Sequence, residues 1–139
     1  MTPLNTYIVE DSPVILENLV ATLEELASVK VIGSSPDEAS AVRWLQQAQP
    51  PEHTPCELMI IDVFLKSGSG LGVLRAAGSG PHPPKRVVLT NYATPDMRRR
   101  CSELGADRVF DKSSELEDLI SYCTGLASGP DRHDSVELR

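Results

Sequence analysis

Short apolar runs alternate along the chain with longer segments in which apolar residues recur at helical spacing. The short runs are rich in β-branched residues, which favour strands. The run at 58–61 is apolar at every position, which is typical of a strand buried on both faces of a parallel sheet. On this pattern we predict strands at residues 7–9, 29–32, 58–61, 86–90 and 108–110.

Capping signals precede most of the helical segments. Ser12 and Thr94 each stand before a proline, and the segments 35–38 and 114–117 read as capping boxes with Ser35 and Ser114 as the N-caps. The face of the first helix that should point inward consists of Ile15, Leu16, Leu19, Val20, Leu23 and Leu26. The corresponding face of the second helix consists of Ala39, Val42, Leu45 and Ala48. The run 98–100 of three arginines is interpreted as a solvated face of the fourth helix.

A strand is followed by a helix five times, with connections of a few residues. Parallel strands joined by right-handed helical crossovers are the economical arrangement for this order of elements. The predicted fold is therefore α/β, a doubly wound, flavodoxin-like sheet of five parallel strands in the order 2-1-3-4-5 within three α/β/α layers. Residues 1–125 are expected to form this domain, and residues 126–139 a disordered polar tail.

Composition narrows the function. The net charge of −7 argues against direct nucleic-acid binding, which depends on Lys and Arg contacts to phosphates. No stretch is apolar enough for a membrane helix and no signal peptide is visible, so a cytoplasmic protein without a membrane contact is expected. The three cysteines lie far apart and are expected to be reduced, and the three histidines form no metal-binding pattern.

Polar side chains that could do chemistry follow the ends of the predicted strands. Glu10 and Asp11 follow the first strand, Asp62 the third, Thr90 ends the fourth, and Lys112 follows the fifth. Ligands of open α/β sheets bind at this edge. Three carboxylates brought together repel one another unless a cation lies among them, and an all-oxygen ligand set favours Mg²⁺. Since a hydroxyl and an ammonium suit a phosphoryl group, Asp62 is a candidate nucleophile for an aspartyl phosphate.

The chain resembles the receiver domain of two-component response regulators over about residues 4 to 125. The pieces that carry the resemblance are Ile8-Val9-Glu10-Asp11-Ser12, Ile60-Ile61-Asp62, Gly70, Val88-Leu89-Thr90-Asn91, Gly105-Ala106-Asp107 and Asp111-Lys112.

The resemblance implies a role for each matching residue. Asp62 would be the phosphoacceptor, with Thr90 as the switch hydroxyl and Lys112 as the phosphate-pairing lysine. The Mg²⁺ ligands would be Asp11 and Asp62 directly, Glu10 through water, and the backbone carbonyl of Phe64. The backbone N–H groups of Phe64 and Asn91 would face the phosphoryl oxygens.

The resemblance also implies partners. A histidine kinase or a histidine phosphotransfer protein would supply the phosphoryl group, and a downstream protein would read the signal. A homodimer through the face of the fourth and fifth helices is a further expectation. Such a protein is not an enzyme in the usual sense, because it catalyses only the phosphorylation and dephosphorylation of its own Asp62. If the 139 residues are the whole protein, a stand-alone receiver is expected, and if they belong to a longer protein, a further domain would set the output.

The sequence departs from the family pattern in three ways. Val109 occupies the place of the usual aromatic switch residue. Ser113 follows Lys112 where the family has a cis-proline, so we expect a trans peptide or a locally altered turn there. Phe64 and Tyr92, each two residues beyond a site residue, are bulky. We hypothesise that they shield the aspartyl phosphate from water and slow its hydrolysis.

Other functions fit the residues less well. The alternative is a phosphorylation-independent adaptor with the same fold, which Val109 alone supports. A haloacid-dehalogenase-like phosphatase would need a second Asp where Phe64 stands, and a flavin binder would need a phosphate loop where Glu10 and Asp11 stand.

Overall fold

A computed structural model describes residues 2–47 and 55–129, in which strands and helices alternate. The strands are β1 (Leu4–Val9), β2 (Val29–Ser35), β3 (Leu58–Ile61), β4 (Lys85–Thr90) and β5 (Arg108–Asp111). The helices are α1 (Pro13–Leu26), α2 (Glu38–Gln46), α3 (Gly70–Ala77), α4 (Pro95–Glu103) and α5 (Leu116–Ser128). All strand pairs are parallel and the order is β2-β1-β3-β4-β5, which confirms the predicted fold.

Two apolar layers cover the faces of the sheet. Alternate residues of each central strand point to opposite faces, so that Leu58 and Ile60 pack under α1 and α5, whereas Met59 and Ile61 pack under α2, α3 and α4. All four residues of β3 are buried, as predicted for a strand with helices on both sides. The buried helical residues of the first layer are Leu19, Leu23, Leu119, Cys123 and Ala127. Those of the second layer are Ala41, Val73, Leu74, Ala77 and Cys101.

The register of the strands brings their carboxyl ends to one edge. Ile61 is paired with Val9 on one side and with Val88 on the other, and Thr90 is paired with Asp111. Because the strands are parallel, the residues that follow them lie at the same edge of the sheet.

The start of the second helix differs from the prediction. Ser35 is not an N-cap but the buried last residue of β2, where its hydroxyl hydrogen bonds to the Tyr7 hydroxyl. Asp37 caps α2 instead, accepting a hydrogen bond of 2.8 Å from Ser40 N. The second strand was predicted to stop before Gly33 but continues through it to Ser35. A glycine fits at this position because a Cβ there would lie 2.8 Å from the Tyr7 ring.

The inward faces of the first two helices are also narrower than predicted. In α1, Ile15 is 39% exposed and Leu26 is 58% exposed. In α2 the fully buried residue is Ala41, whereas Ala39 is exposed. Ala48 lies outside the described residues. Because α2 has only nine residues, its inward stripe is short.

The last helix starts and ends beyond its predicted limits. Ser114 does not cap it, since the N-cap is Glu115, whose side chain makes no capping hydrogen bond. The helix continues to Ser128, three residues past the domain boundary predicted at 125, and Ala127 is buried. Residues 130–139 lie outside the described residues, so the disorder of the tail stays a prediction. None of the helices in the described ranges is both long and apolar enough to cross a membrane.

Candidate functional site

Three carboxylates meet at the carboxyl edge of the sheet, and we call Glu10, Asp11 and Asp62 the acidic cluster. Each offers an oxygen within 4.8 Å of the others. Glu10 and Asp62 are buried, whereas Asp11 is half-buried. The cluster forms because Glu10 directly follows β1 and Asp62 directly follows β3, and these two strands are neighbours.

Lys112 provides the positive charge of the site. Its Nζ lies 2.7 Å from Glu10 Oε1 and 3.0 Å from Asp62 Oδ2, with 12% of the side chain exposed. Burial by itself would lower the pKa of the Lys112 ammonium, but the hydrogen bonds and charges of Glu10 and Asp62 raise it above its ordinary value. The amine is therefore kept charged, and it holds Glu10 and Asp62 close together.

The donor set fits a hard divalent cation. With all members ionised, the three carboxylates carry −3 and Lys112 carries +1, which leaves −2 at the site. The ligand atoms are all oxygens, as Mg²⁺, Mn²⁺ and Ca²⁺ prefer, and Asp11 is not bonded to the lysine in either ion pair. The arrangement can therefore bind a divalent ion without losing the contacts of Lys112.

Backbone N–H groups orient the carboxylates. Asp62 Oδ1 accepts from Phe64 N at 3.2 Å and Glu10 Oε2 from Ser12 N at 3.1 Å. Asp11 Oδ2 accepts from Lys66 N at 2.7 Å. Each carboxylate thus keeps a fixed direction before any ligand enters.

Thr90 lies at the same edge, one strand away from Asp62. Its side chain is fully buried, and its Oγ1 accepts a hydrogen bond of 3.1 Å from Tyr92 N. Lys112 N donates to the Thr90 carbonyl at 2.9 Å, which ties the connections after β4 and β5 together. All five predicted side chains thus lie at one edge of the sheet, and their roles stay predictions.

The two bulky residues named in the sequence analysis are in contact. The rings of Phe64 and Tyr92 are 5.0 Å apart and inclined by 72°, an edge-to-face pair. Phe64 is 52% exposed and Tyr92 62% exposed, so the pair lies at the surface and not in the core. That it shields an aspartyl phosphate stays a prediction.

The connection after Lys112 is held by a side chain in place of a proline. Asp111 Oδ1 accepts from Ser113 N at 2.8 Å, from the Ser113 hydroxyl at 2.6 Å and from Ser114 N at 3.2 Å. These hydrogen bonds lower the pKa of the Asp111 carboxyl. Among the residues that the structure describes no peptide bond is cis, which confirms the expected trans bond before Ser113.

Two side chains near the site were missed or misread in the sequence. Arg98, expected in solvent, donates to the carbonyls of Ala93 and Val109 at 3.0 and 2.9 Å and to Glu115 Oε1 at 2.8 Å. Glu38, read only as part of a capping box, accepts from Ser69 N at 2.8 Å. Nothing in the arginine run marks Arg98, and the closely spaced glycines that follow Asp62 indicate a close approach of another group without identifying Glu38.

Known proteins resemble this chain in sequence and in fold. The family model described as the response regulator receiver domain matches residues 6–124. The transcriptional regulatory protein CitB of Klebsiella pneumoniae is 31% identical over 90 residues, which cover 65% of this chain and 36% of CitB. The methanol utilization control regulatory protein MoxX of Paracoccus denitrificans is 26% identical over 136 residues, covering 96% of this chain and 57% of MoxX. The chain thus spans about half the length of these curated relatives, or less.

Solved structures share the fold. The Mn²⁺-bound form of response regulator Rcp1 is 27% identical, with a TM-score of 0.67 over 91% of this chain and 93% of that chain. A response regulator from Burkholderia pseudomallei, with a phosphorylated aspartic acid and a calcium ion, is 20% identical. Its TM-score is 0.70 over 98% of this chain and 75% of that chain, and at this identity the likeness concerns the fold alone.

Proposed function

This chain belongs to the response regulator receiver-domain family, and from that premise we propose that Asp62 accepts a phosphoryl group from a phosphohistidine. The donor would be a histidine kinase or a histidine phosphotransfer protein. The observation that carries the proposal is the position of Lys112 Nζ, which contacts both Glu10 and Asp62 within the acidic cluster. A lysine so placed can pair with a phosphoryl oxygen without leaving the site.

The reaction is a displacement at phosphorus. An oxygen of the Asp62 carboxylate forms a bond to phosphorus while the bond from phosphorus to the imidazole nitrogen of the donor breaks. The electron pair of the broken bond stays on the imidazole, which is neutral once it is protonated. Little covalent work is left to the protein, so its contribution is orientation and compensation of charge.

Residues of this chain hold the reacting groups. Phe64 N and Lys112 Nζ fix the two oxygens of Asp62. Because Thr90 Oγ1 already accepts a hydrogen bond from Tyr92 N, we assign its own proton to a phosphoryl oxygen. Lys112 compensates part of the negative charge on that group, since its ammonium is kept protonated.

The metal we propose is Mg²⁺, held by Asp11, by Asp62, by Glu10 through water and by the backbone carbonyl of Phe64. When bound, it would supply positive charge that offsets the negative charge of the carboxylates and of the phosphoryl group. Support comes from the all-oxygen acidic cluster and from the Mn²⁺ in the structure of Rcp1.

We also propose how the protein acts, signals and associates. The protein acts only on its own aspartate and is not an enzyme with a separate substrate. It signals through a protein partner in the cytoplasm, and the face of α4 and α5 is the proposed dimer contact.

The test is phosphorylation by a small donor. Incubation with acetyl phosphate and Mg²⁺ should add the mass of one phosphoryl group, and Asp62→Asn or removal of the metal with EDTA should abolish the gain. If the native chain gains no mass and also fails to bind beryllofluoride, the phosphoacceptor function is wrong and the adaptor function takes its place.

A further inference from the structure

The chain turns back sharply after Asp62, and we call residues 62–69 the β3–α3 loop. Phe64 and Ser69 form an antiparallel bridge, and Gly70 N donates to the Val63 carbonyl at 2.9 Å. The return is so close that a Cβ on Gly70 would lie 2.0 Å from the Asp62 carbonyl oxygen. The backbone position of Phe64 therefore depends on what holds Ser69.

Ser69 is held from another part of the fold. Glu38, the first residue of α2, places its Oε1 2.8 Å from Ser69 N. The backbone of Glu38 also donates to the Ser67 carbonyl at 3.3 Å. Glu38 thus accepts one hydrogen bond from the β3–α3 loop through its side chain and donates another through its backbone N–H.

Two glycines make room for the Glu38 side chain. A Cβ on Gly72 would lie 2.1 Å from Glu38 Oε2, and one on Gly68 would lie 2.4 Å from Glu38 Cβ. Gly68 also has a φ of +78°, which side chains rarely adopt. The half-buried carboxylate therefore lies close against the backbone of the β3–α3 loop and of the first turn of α3.

The other side of the loop is attached to the acidic cluster. Lys66 N donates to Asp11 Oδ2 at 2.7 Å, so the loop is suspended between the carboxylates of Asp11 and Glu38. Of these two, only Asp11 belongs to the acidic cluster. A change at Glu38 should thus reach the metal site through the backbone of residues 64–69.

We propose that Glu38 is a positioning residue for the divalent-cation site: through Ser69 and the bridge to Phe64 it fixes the loop backbone that completes the site. This inference rests on the proposed function. Groups beyond the direct ligands commonly change metal affinity by about 10-fold to 100-fold when they are removed. We expect the lower end, because Glu38 acts through backbone and not on a ligand side chain.

The first test measures binding of Mn²⁺ itself, from the paramagnetic resonance signal of the free ion. Glu38→Ala should raise the dissociation constant about tenfold. Glu38→Gln, which keeps an oxygen that can accept from Ser69 N, should retain most of the affinity. The matched control is Glu24→Ala, because Glu24 Oε2 likewise accepts a backbone N–H, from Val31 at 2.9 Å, in a different part of the fold.

A second variant disturbs the same contact from the opposite side and covers the case in which Glu38→Ala does not fold. Gly72→Ala should push the Glu38 carboxylate away and weaken Mn²⁺ binding to a similar extent. Its control is Gly80→Ala, since a Cβ at Gly80 has no atom within 4 Å.

The kinetics of phosphorylation should show an effect on metal binding and not on the reaction step. In phosphorylation by acetyl phosphate, Glu38→Ala should raise the Mg²⁺ concentration for half-maximal rate and leave the rate at saturating Mg²⁺ nearly unchanged. Glu38→Ala or Gly72→Ala with native Mn²⁺ affinity would overturn the inference while the native chain still binds metal. If the native chain itself binds no Mn²⁺, the proposed metal site fails and the inference fails with it.

Discussion

Beside Asp62, the β3–α3 loop directs backbone N–H groups at carboxylates: Lys66 N at Asp11 and Ser69 N at Glu38. On the side of β4 and β5 the polarity is reversed, because the guanidinium of Arg98 donates to backbone carbonyls there. The first set of contacts includes a member of the acidic cluster, whereas the second includes none.

Because of this difference, we expect metal binding to affect the two sides of the site differently. A cation that enters the acidic cluster acts directly on Asp11 and so on the β3–α3 loop. The contacts of Arg98 include no residue of the acidic cluster, and they lie beside Thr90 and Lys112, whose backbones are hydrogen bonded to each other. We therefore expect metal affinity to depend on the first side, and folding stability and any change of the α4–α5 face to depend on the second.

The largest effect is expected at the residue that both sides share. Lys112→Ala should lower the rate of phosphorylation by acetyl phosphate by about 10²-fold to 10³-fold at saturating Mg²⁺, the range for loss of a charge-stabilising donor. Mn²⁺ affinity should not fall, because the acidic cluster becomes more negative. Lys30→Ala, at an exposed residue of β2, is the control. A Lys112→Ala protein with the native rate would contradict the assigned role.

Arg98 should affect stability without affecting the metal. Its substitution by Ala removes hydrogen bonds to two carbonyls and to Glu115, and we expect a loss of about 1–2 kcal/mol in the free energy of unfolding. This loss is smaller than three buried hydrogen bonds would give, because 40% of the Arg98 side chain is exposed. Arg99→Ala, which breaks only the exposed pair with Asp96, should cost less than about 0.5 kcal/mol. Urea unfolding measures both, and a weakened Mn²⁺ affinity in Arg98→Ala would remove the contrast between the two sides.

The aromatic pair is where the two sides meet. Phe64→Asn and Tyr92→Glu should each speed the loss of the phosphoryl group from Asp62 several-fold, because either change opens the edge-to-face contact. Decay is followed by mass after removal of the donor. Trp44, stacked on Tyr7 away from this edge, offers a control in Trp44→Phe. Native decay in both aromatic variants would show that the pair does not shield the site.

The smallest effect concerns acid stability. The folded pKa of Asp111 lies below the ordinary value of 3.8, so its contribution to stability is present above that pH and is lost as the pH falls through the folded pKa. Asp111→Ala should therefore lose stability less steeply than the native chain below about pH 4. Glu17→Ala, at an exposed position of α1, should follow the native curve. Parallel curves for the native chain and Asp111→Ala, from unfolding at stepped pH, would contradict this account.

The sequence alone determined the sheet, its order and the edge at which the polar residues meet. Apolar runs such as 58–61 and the regular change between strand and helix leave few other topologies, and a parallel sheet then brings Asp62 and Lys112 to the same side. These features follow from the apolar pattern of short segments and from the order of the elements along the chain, and both can be read directly in the sequence.

Contacts between distant segments were decided by the tertiary structure. Ser35 lost its predicted capping role because Tyr7, on the neighbouring strand, bonds its hydroxyl. Arg98 left its expected solvated face because the carbonyl of Val109 and the carboxylate of Glu115 come within reach only when α4, β5 and α5 are assembled. Likewise Glu38 meets Ser69 across 31 positions of the chain. A long polar side chain makes its bonds wherever folding brings a partner, and no periodicity in the sequence records that distance.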